Sequence, residues 1–213
     1  MTGSAMTGSA MTGSGALERL IRRPAPHPAE PGPRCELCGE DVQPSHRHLL
    51  DTARGELLCA CYACSILFHR DEASEGHYRL VPDRRMRLTG ISLTALGVPV
   101  GLAFFVRQPG GSVAAHYPSP AGATRWEVDP PAWERAVRDC PALADLAVGV
   151  EALLANTTRG RSEAWLVPVD DCHRLVAIVR QHWKGLSGGD QVWPAIEGFF
   201  EELRRRDGSD TGG

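Results

Sequence analysis

Two pairs of apolar runs in the middle of the chain predict β-strands. Two apolar runs, Gly101–Arg107 and Ser112–Tyr117, flank a Pro-Gly-Gly turn, and this arrangement is typical of a β-hairpin. A second pair of runs, Val148–Asn156 and Glu163–Val169, is separated by a polar turn and predicts two more strands. We expect these four strands to form an antiparallel sheet.

Helical patterns occur between the two strand pairs and in the C-terminal third of the chain. Asp129 and the proline that follows it predict the start of one helix, which should run to about Arg138. Asp170 is predicted to cap a second helix, and Asp190 begins a third that ends in Arg204–Arg206. The apolar positions of the second helix recur on one helical face, and they are Cys172, Leu175, Val176, Val179 and Trp183. We therefore expect an α+β fold in which C-terminal helices cover one face of the antiparallel sheet.

Five cysteines within thirty residues carry the clearest chemical signal in the chain. Cys35 and Cys38 form one C-x-x-C pair, and Cys61 and Cys64 form a second. Two such pairs are typical of a tetrahedral thiolate site, because each pair bends the chain so that two sulfurs point at one ion. Cys59 is left over, and it is either a buried thiol, a replacement for one ligand, or part of a site with more than one metal.

His46 and His48 are the next candidate ligands. Two residues apart on an extended segment, they share a side, so both face the metal or both face water. Four thiolates already saturate a tetrahedral ion, which favours a supporting or solvated role for the pair. Zinc and iron both accept four thiolates. Ser65 follows the second pair where rubredoxin-like iron sites usually carry glycine, so we expect zinc, with iron as the alternative.

Composition divides the chain around these features. Residues 1–33 repeat a short Met-Thr-Gly-Ser unit and continue into a proline-rich run, which cannot bury a core. We predict a disordered tail over 1–33 and a four-cysteine metal-binding module over 34–69. A linker over 70–87 should lead into the α+β domain over 88–206, with a second disordered tail over 207–213.

Charge, cysteine number and hydropathy limit the partners and the cellular environment that the sequence predicts. The net charge of −3 disfavours general binding to nucleic-acid backbone. Seven cysteines, an odd number, and the lack of an apolar signal-like segment favour a reducing cytoplasm over a disulfide framework. Leu88–Val106 runs nineteen residues without a charge, but Pro99 breaks its middle, so we predict a core segment and no membrane span.

The module is also similar to the treble-clef core of HNH nucleases. Both C-x-x-C pairs and His48 fit the layout of those enzymes. That resemblance implies that His48 would activate water and that His69 would complete the metal shell. Arg47 and Ser65 stand where the family has other residues, and the chain is acidic, so a nuclease is an alternative prediction only.

Six segments resemble an uncharacterised actinobacterial family with a zinc-ribbon or treble-clef-like module. They are Cys35–Gly39, His46–Asp51, Leu57–Cys64, Val100–Phe105, Tyr117–Thr124 and His182–Gly189. The similarity covers about residues 34 to 206. Members of that family are typically encoded beside nickel-iron uptake hydrogenases, so the resemblance implies an accessory role in hydrogenase maturation, assembly or electron transfer.

The leading prediction is a non-enzymatic, metal-binding accessory protein that docks on a hydrogenase subunit or a maturation factor. A rubredoxin-like one-electron carrier with iron in the thiolate site and an HNH-like nuclease are the alternatives. Tryptophan is common at the centre of protein interfaces, so the five tryptophans are candidate anchors, although most are expected in the core. They are Trp126, Trp133, Trp165, Trp183 and Trp193.

Overall fold

Two antiparallel sheets organise the chain in a computed structural model that describes residues 32–69, 77–97, 101–185 and 188–207. The sheets belong to one compact unit that begins at Pro33. The mixed α+β architecture with antiparallel sheets and C-terminal helices confirms the predicted fold class. Nearly all of the two predicted disordered tails lies outside the described residues.

The smaller sheet has three strands in the order β2-β1-β3. Strand β1 (Arg47–Asp51) lies in the centre, with β2 (Glu56–Ala60) and β3 (Tyr78–Leu80) antiparallel on either side. A single-turn helix, α1 (Tyr62–Ile66), follows β2 almost directly. Strands β1 and β2 and helix α1 lie within the segment 34–69 that the sequence predicts to bind metal.

The larger sheet has six strands in the order β4-β9-β8-β5-β6-β7, and all neighbours are antiparallel. The predicted hairpin is confirmed as β5 and β6, and the second predicted pair as β8 and β9. The six strands are β4 (Met86–Leu88), β5 (Leu102–Arg107), β6 (Val113–Ser119), β7 (Gly122–Glu127), β8 (Glu151–Asn156) and β9 (Glu163–Pro168).

Three longer helices complete the described chain: α2 (Pro130–Asp139), α3 (Val169–His182) and α4 (Gly189–Asp207). The first begins after Asp129, as predicted. The prediction that Asp170 caps the second is wrong, because Pro168 occupies the N-cap in an extended conformation and Asp170 lies in the first turn. Proline fixes its own φ, so it ends the strand and starts the helix without a side-chain cap. Short 3-10 turns occur at Leu93–Leu96, Pro141–Asp145 and Thr158–Gly160.

Both faces of the larger sheet are buried. Phe104 and Trp165 lie in the cluster beneath α3 and α4, which confirms that the C-terminal helices cover one face. Phe105 lies in the cluster on the opposite side, where Trp133 of α2 and Leu143 of a 3-10 turn cover the sheet. This second cover was not predicted. All residues of β8 and β9 are buried, as expected for strands enclosed on both sides.

The stretch predicted as a linker, 70–87, takes part in both sheets where it is described. Leu80 of β3 pairs with Leu49 in the smaller sheet, and Met86 of β4 pairs with Leu166 in the larger one. The apolar stretch 88–106 contains the end of β4, a 3-10 turn and most of β5, while residues 98–100 lie outside the described part. Among the described residues, we find no helix that is both long enough and apolar enough to cross a membrane.

Candidate metal centre

The first C-x-x-C pair lies on a tight turn at the start of the smaller sheet region. The backbone N–H of Cys35 donates to the carbonyl of Glu40 at 2.8 Å, and the N–H of Gly39 donates back to the carbonyl of Cys35 at 2.8 Å. Gly39 has φ of +78°, a conformation that glycine adopts without steric cost. The turn therefore closes on itself and directs the Cys35 and Cys38 thiols to one side.

The second pair lies where β2 passes into α1. Cys61 is the N-cap of this helix, and its Sγ accepts a hydrogen bond from the backbone N–H of Cys64 at 3.4 Å. The carbonyl of Cys61 accepts from the N–H of Ser65 at 2.9 Å. The sulfur of Cys61 takes the place of the side-chain oxygen that usually caps a helix. The local fold of the chain therefore orients this sulfur even without a metal ion.

The structure brings the four predicted ligands together. One sulfur each from Cys35, Cys38, Cys61 and Cys64 lies within 4.8 Å of every other. Four sulfurs placed ~2.3 Å from a zinc ion in a tetrahedron are about 3.8 Å from one another. The Sγ atoms of Cys38 and Cys61 are 3.8 Å apart. The four-cysteine cluster can therefore hold a metal ion, and a donor set of four thiolates fits zinc or iron.

The pKa values of Cys35 and Cys64 depart from the ordinary cysteine value because other groups of the cluster lie close to them. Burial raises the pKa of Cys35, but backbone N–H groups, led by that of Cys61, outweigh it and lower the pKa to about 6. The neighbouring thiols of Cys61 and Cys38 raise the pKa of Cys64 to about 12. Without a cation, Cys35 therefore ionises more readily than Cys64. Binding of an ion must then release the remaining protons.

The three remaining candidate ligands form a group of their own. One ligand atom each from His46, His48 and Cys59 lies within 4.8 Å of the other two. Cys59 stands directly opposite His48 in the β1/β2 register. His69, which the nuclease layout would add to the shell, is exposed and belongs to neither close group found among the described residues.

Sequence reasoning missed the acidic residues that support His48. Asp170 accepts a hydrogen bond from His48 Nδ1 through Oδ2 at 3.0 Å, across a sequence separation of 122 residues. Burial raises the pKa of Asp170, but the hydrogen bond and charge of His48 outweigh it and lower the pKa. The adjacent Asp171 accepts from Arg85 Nε at 2.7 Å. The signal in the sequence was the Asp-Asp pair at a helix start, which capping explained equally well.

An open cleft joins this group to the larger sheet region. It has a volume of about 1040 Å³, and His46, His48 and Cys59 line it together with Asp170 and His173. Burial lowers the pKa of His173, and the nearby His48 lowers it further, although Asp170 opposes both effects. Cys61 of the four-cysteine cluster also lines the cleft, so the two groups of candidate ligands are neighbours.

Comparison with known proteins gives one match. No curated protein and no solved structure matches the chain. A family described as being of unknown function, DUF5947, matches residues 34–207, which span both sheets. The chain, with its four close cysteines and its two antiparallel sheets, belongs to this family of unknown function, DUF5947.

Proposed function

We propose that this protein is a cytoplasmic, metal-binding accessory protein in which Cys35, Cys38, Cys61 and Cys64 hold a structural zinc ion. The observation that carries this proposal is the mutual approach of the four sulfurs within 4.8 Å. Four thiolates complete a tetrahedral shell and leave no position for a substrate, which is typical of structural sites. The zinc would maintain the shape of the 34–69 module, and the α+β domain would support it.

The choice of zinc over iron is supported by the second pair. Ser65, which follows Cys64 directly, is buried, and its hydroxyl donates to the carbonyl of Tyr62 at 2.8 Å. Rubredoxin-like iron sites usually carry glycine at this point, and a serine whose hydroxyl is engaged in the first turn of α1 departs from that pattern. The electron-carrier alternative therefore ranks below structural zinc.

An exposed apolar surface on the module supports a docking role. Tyr62 and Leu67 are 73% and 63% exposed, and Leu37 and Ile66 are also exposed. Large apolar side chains grouped in this way are typical of surfaces that bind other proteins. Of the predicted tryptophan anchors, Trp126 is 69% exposed, whereas Trp133 and Trp165 are buried in the core.

The partner that we propose is a hydrogenase subunit or a maturation factor, as the family resemblance implies. Its surface should be apolar where it meets the Tyr62 and Leu67 side chains, because these would be desolvated on binding. Binding to nucleic acid in general is not expected from a chain with net charge −3.

Metal analysis and a visible spectrum of anaerobically purified full-length protein test the proposal. We expect colourless protein whose tightly held zinc withstands dialysis against a chelator and falls by one equivalent in Cys38→Ser/Cys64→Ser. The matched control, Cys140→Ser, should retain it. A red protein that bleaches on reduction would overturn structural zinc in favour of the electron carrier. Magnesium-dependent nicking of plasmid DNA that His48→Ala abolishes would favour the nuclease.

Co-purification tests the partner. Tagged wild-type protein should retain a hydrogenase subunit or maturation factor when these are co-expressed, and Tyr62→Glu/Leu67→Glu should lose it. Trp126→Glu, which replaces an exposed aromatic residue of the larger sheet with a charged one, is the matched control. Failure to retain any hydrogenase component, together with unchanged hydrogen uptake in a deletion strain, would overturn the accessory role and leave the zinc site standing.

A further inference from the structure

We propose that His46, His48 and Cys59 form a second metal centre, separate from the four-cysteine cluster and with one coordination position open to the cleft. The three side chains offer two imidazole nitrogens and one sulfur within 4.8 Å of one another. This centre shares no ligand with the proposed structural zinc site, and it does not rest on the docking role proposed above.

The pleat of the smaller sheet explains why these three side chains meet. His48 and Cys59 are direct cross-strand partners, and partners of this kind have their Cβ atoms about 5 Å apart on the same face. His46 precedes His48 by two residues and therefore shares its side of the extended chain. The intervening pair, Arg47 and Ala60, points to the opposite face. One face of the hairpin thus presents three ligands in a row.

The hydrogen bonds of His46 leave a nitrogen ready for an ion. Its Nδ1 lies 2.8 Å from the carbonyl oxygen of Gln43. A carbonyl only accepts, so Nδ1 carries the proton and Nε2 keeps its lone pair. Nε2 is buried, and no group among the described residues forms a hydrogen bond with it. A buried polar atom without a partner is costly, and a metal ion at this point would remove that cost.

His48 is held in the manner of a metal-ligating histidine. Its Nδ1 donates to Asp170 Oδ2 at 3.0 Å, and Oδ1 of Asp170 accepts from the backbone N–H of Asp171 at 2.8 Å. A carboxylate that fixes one imidazole nitrogen orients the other nitrogen toward an ion and makes it a better donor. Asp170 is therefore a positioning residue for this centre, contributed from the first turn of α3.

The thiol of Cys59 is positioned by the first C-x-x-C turn. The backbone N–H of Cys59 donates to Glu36 Oε2 at 2.6 Å, and its carbonyl accepts from the N–H of Glu36 at 2.9 Å. These two hydrogen bonds hold both the N–H and the carbonyl of Cys59 near the end of β2. The position of the sulfur is thus determined by backbone contacts that do not involve the side chain itself.

The donor set and the cleft define what this centre would bind. Imidazole and thiolate suit borderline divalent ions such as Zn²⁺, Co²⁺, Ni²⁺ and Cu²⁺, and they disfavour Mg²⁺ and Ca²⁺. Three protein ligands leave the fourth tetrahedral position for water or a small anion, as in catalytic zinc sites. The cleft of about 1040 Å³ gives such a ligand access, with His173 and Arg174 on its walls.

Anaerobic titration of the metal-free, full-length protein with Co²⁺ tests this centre. We expect about two equivalents to bind, one with the strong sulfur-to-cobalt absorption of four thiolates and one with the weaker absorption of a single thiolate. Cys59→Ser, His46→Gln and His48→Gln should each bind about one equivalent and retain the four-thiolate spectrum. His69→Gln, which changes an exposed histidine in the same module, is the matched control and should bind two.

The outcomes separate this centre from the structural zinc. One equivalent in the wild type with a four-thiolate spectrum would overturn the second centre alone. Loss of that spectrum in Cys38→Ser/Cys64→Ser, with the single-thiolate absorption retained, would support both. Two equivalents in each of the three ligand variants would also overturn the second centre.

Two further measurements test its details. Azide should change the visible bands of the single-thiolate cobalt and leave the four-thiolate bands alone, and a spectrum without any change would overturn the open position. Asp170→Asn should weaken the second ion by roughly 10–100-fold, measured by competition with a chelator, because it removes the charge that orients His48. An unchanged affinity would overturn the positioning role of Asp170.

Discussion

The two sheets of this protein achieve order by different means. In β8 and β9 of the larger sheet every residue is buried, and apolar clusters cover both faces. Among the strand residues of the smaller sheet, Leu49 and Ala60 are the buried apolar ones. Burial of apolar surface is the main stabilising contribution to folding, so the larger sheet can be stable by packing alone. The smaller sheet buries less apolar surface, and its grouped cysteines and histidines offer a second source of stability through the metal ions that we propose.

Metal removal should produce the largest difference between the two sheets. A structural zinc contributes about 10–16 kcal/mol in zinc-finger peptides, and little apolar burial is present here to replace it. After chelation, the amides of β1 and β2 should exchange rapidly with deuterium while those of β8 and β9 remain protected. Equal loss of protection in both sheets would show that the comparison is wrong.

Truncation of a core residue in the larger sheet should destabilise the fold and leave the metal sites unchanged. Phe105 is fully buried beside Trp133, and Phe105→Ala should lower the free energy of unfolding by about 3–5 kcal/mol through the cavity it leaves. Denaturant unfolding measures this loss, and the metal content of the folded protein should not change. Tyr62→Ala, an exposed aromatic in the smaller region, should cost no more than about 0.5 kcal/mol.

Loss of an ion pair between the larger sheet and the segment that connects the two sheets should have an intermediate effect. Glu151 is 2% exposed, and its carboxylate accepts from Arg84 Nε at 3.0 Å and Nη2 at 2.8 Å. Arg84→Ala leaves this carboxylate with one fewer charged donor and should cost about 2 kcal/mol in thermal or denaturant unfolding. Arg84→Ala/Glu151→Gln should recover part of the loss. A double variant less stable than the single one would indicate that Glu151 has a role beyond this pair.

Of these changes, acidification should have the smallest effect on stability, and that effect should arise in the larger sheet. His116 stacks on Phe104 at 4.9 Å, and burial lowers its pKa, helped by the charges of Arg125 and His173. The imidazole of His116 takes up a proton more readily in the unfolded chain than in the folded one. The stabilising contribution of the buried, neutral ring is therefore present above a pH of about 6.5 and is lost as the pH falls through the lowered pKa. An NMR titration of the His116 ring, assigned with His116→Gln, should give a midpoint below that value. A midpoint above it would contradict the burial argument.

The fold was predictable where local pattern and tertiary packing agree. The hairpin β5–β6 and the strands β8 and β9 are runs of apolar residues bounded by turns, and such runs predict buried strands directly. The cover of the second sheet face by α2 was not predicted. A helical pattern shows that one face will be buried and does not show which side of a sheet it will meet.

The candidate site also has one part that local sequence predicts and another that depends on tertiary structure. The four-cysteine cluster was visible because each C-x-x-C pair is local in sequence. The grouping of Cys59 with His46 and His48 depends on the register of β1 and β2, in which a shift of one residue would place His48 away from Cys59. The support from Asp170 depends on a contact across 122 residues, which no local pattern contains.

Glu36 links the occupancy of the two proposed centres. It lies between Cys35 and Cys38 in the sequence, and both its N–H and its carboxylate hold the backbone of Cys59. An ion that orders this turn also prepares the thiol of the second centre, and linkage requires the second ion to favour the first by the same factor. The protein would then load its two metals cooperatively. A chain deprived of its structural ion would bind the second ion more weakly, so metal supply would set how much of the protein carries a loaded second centre.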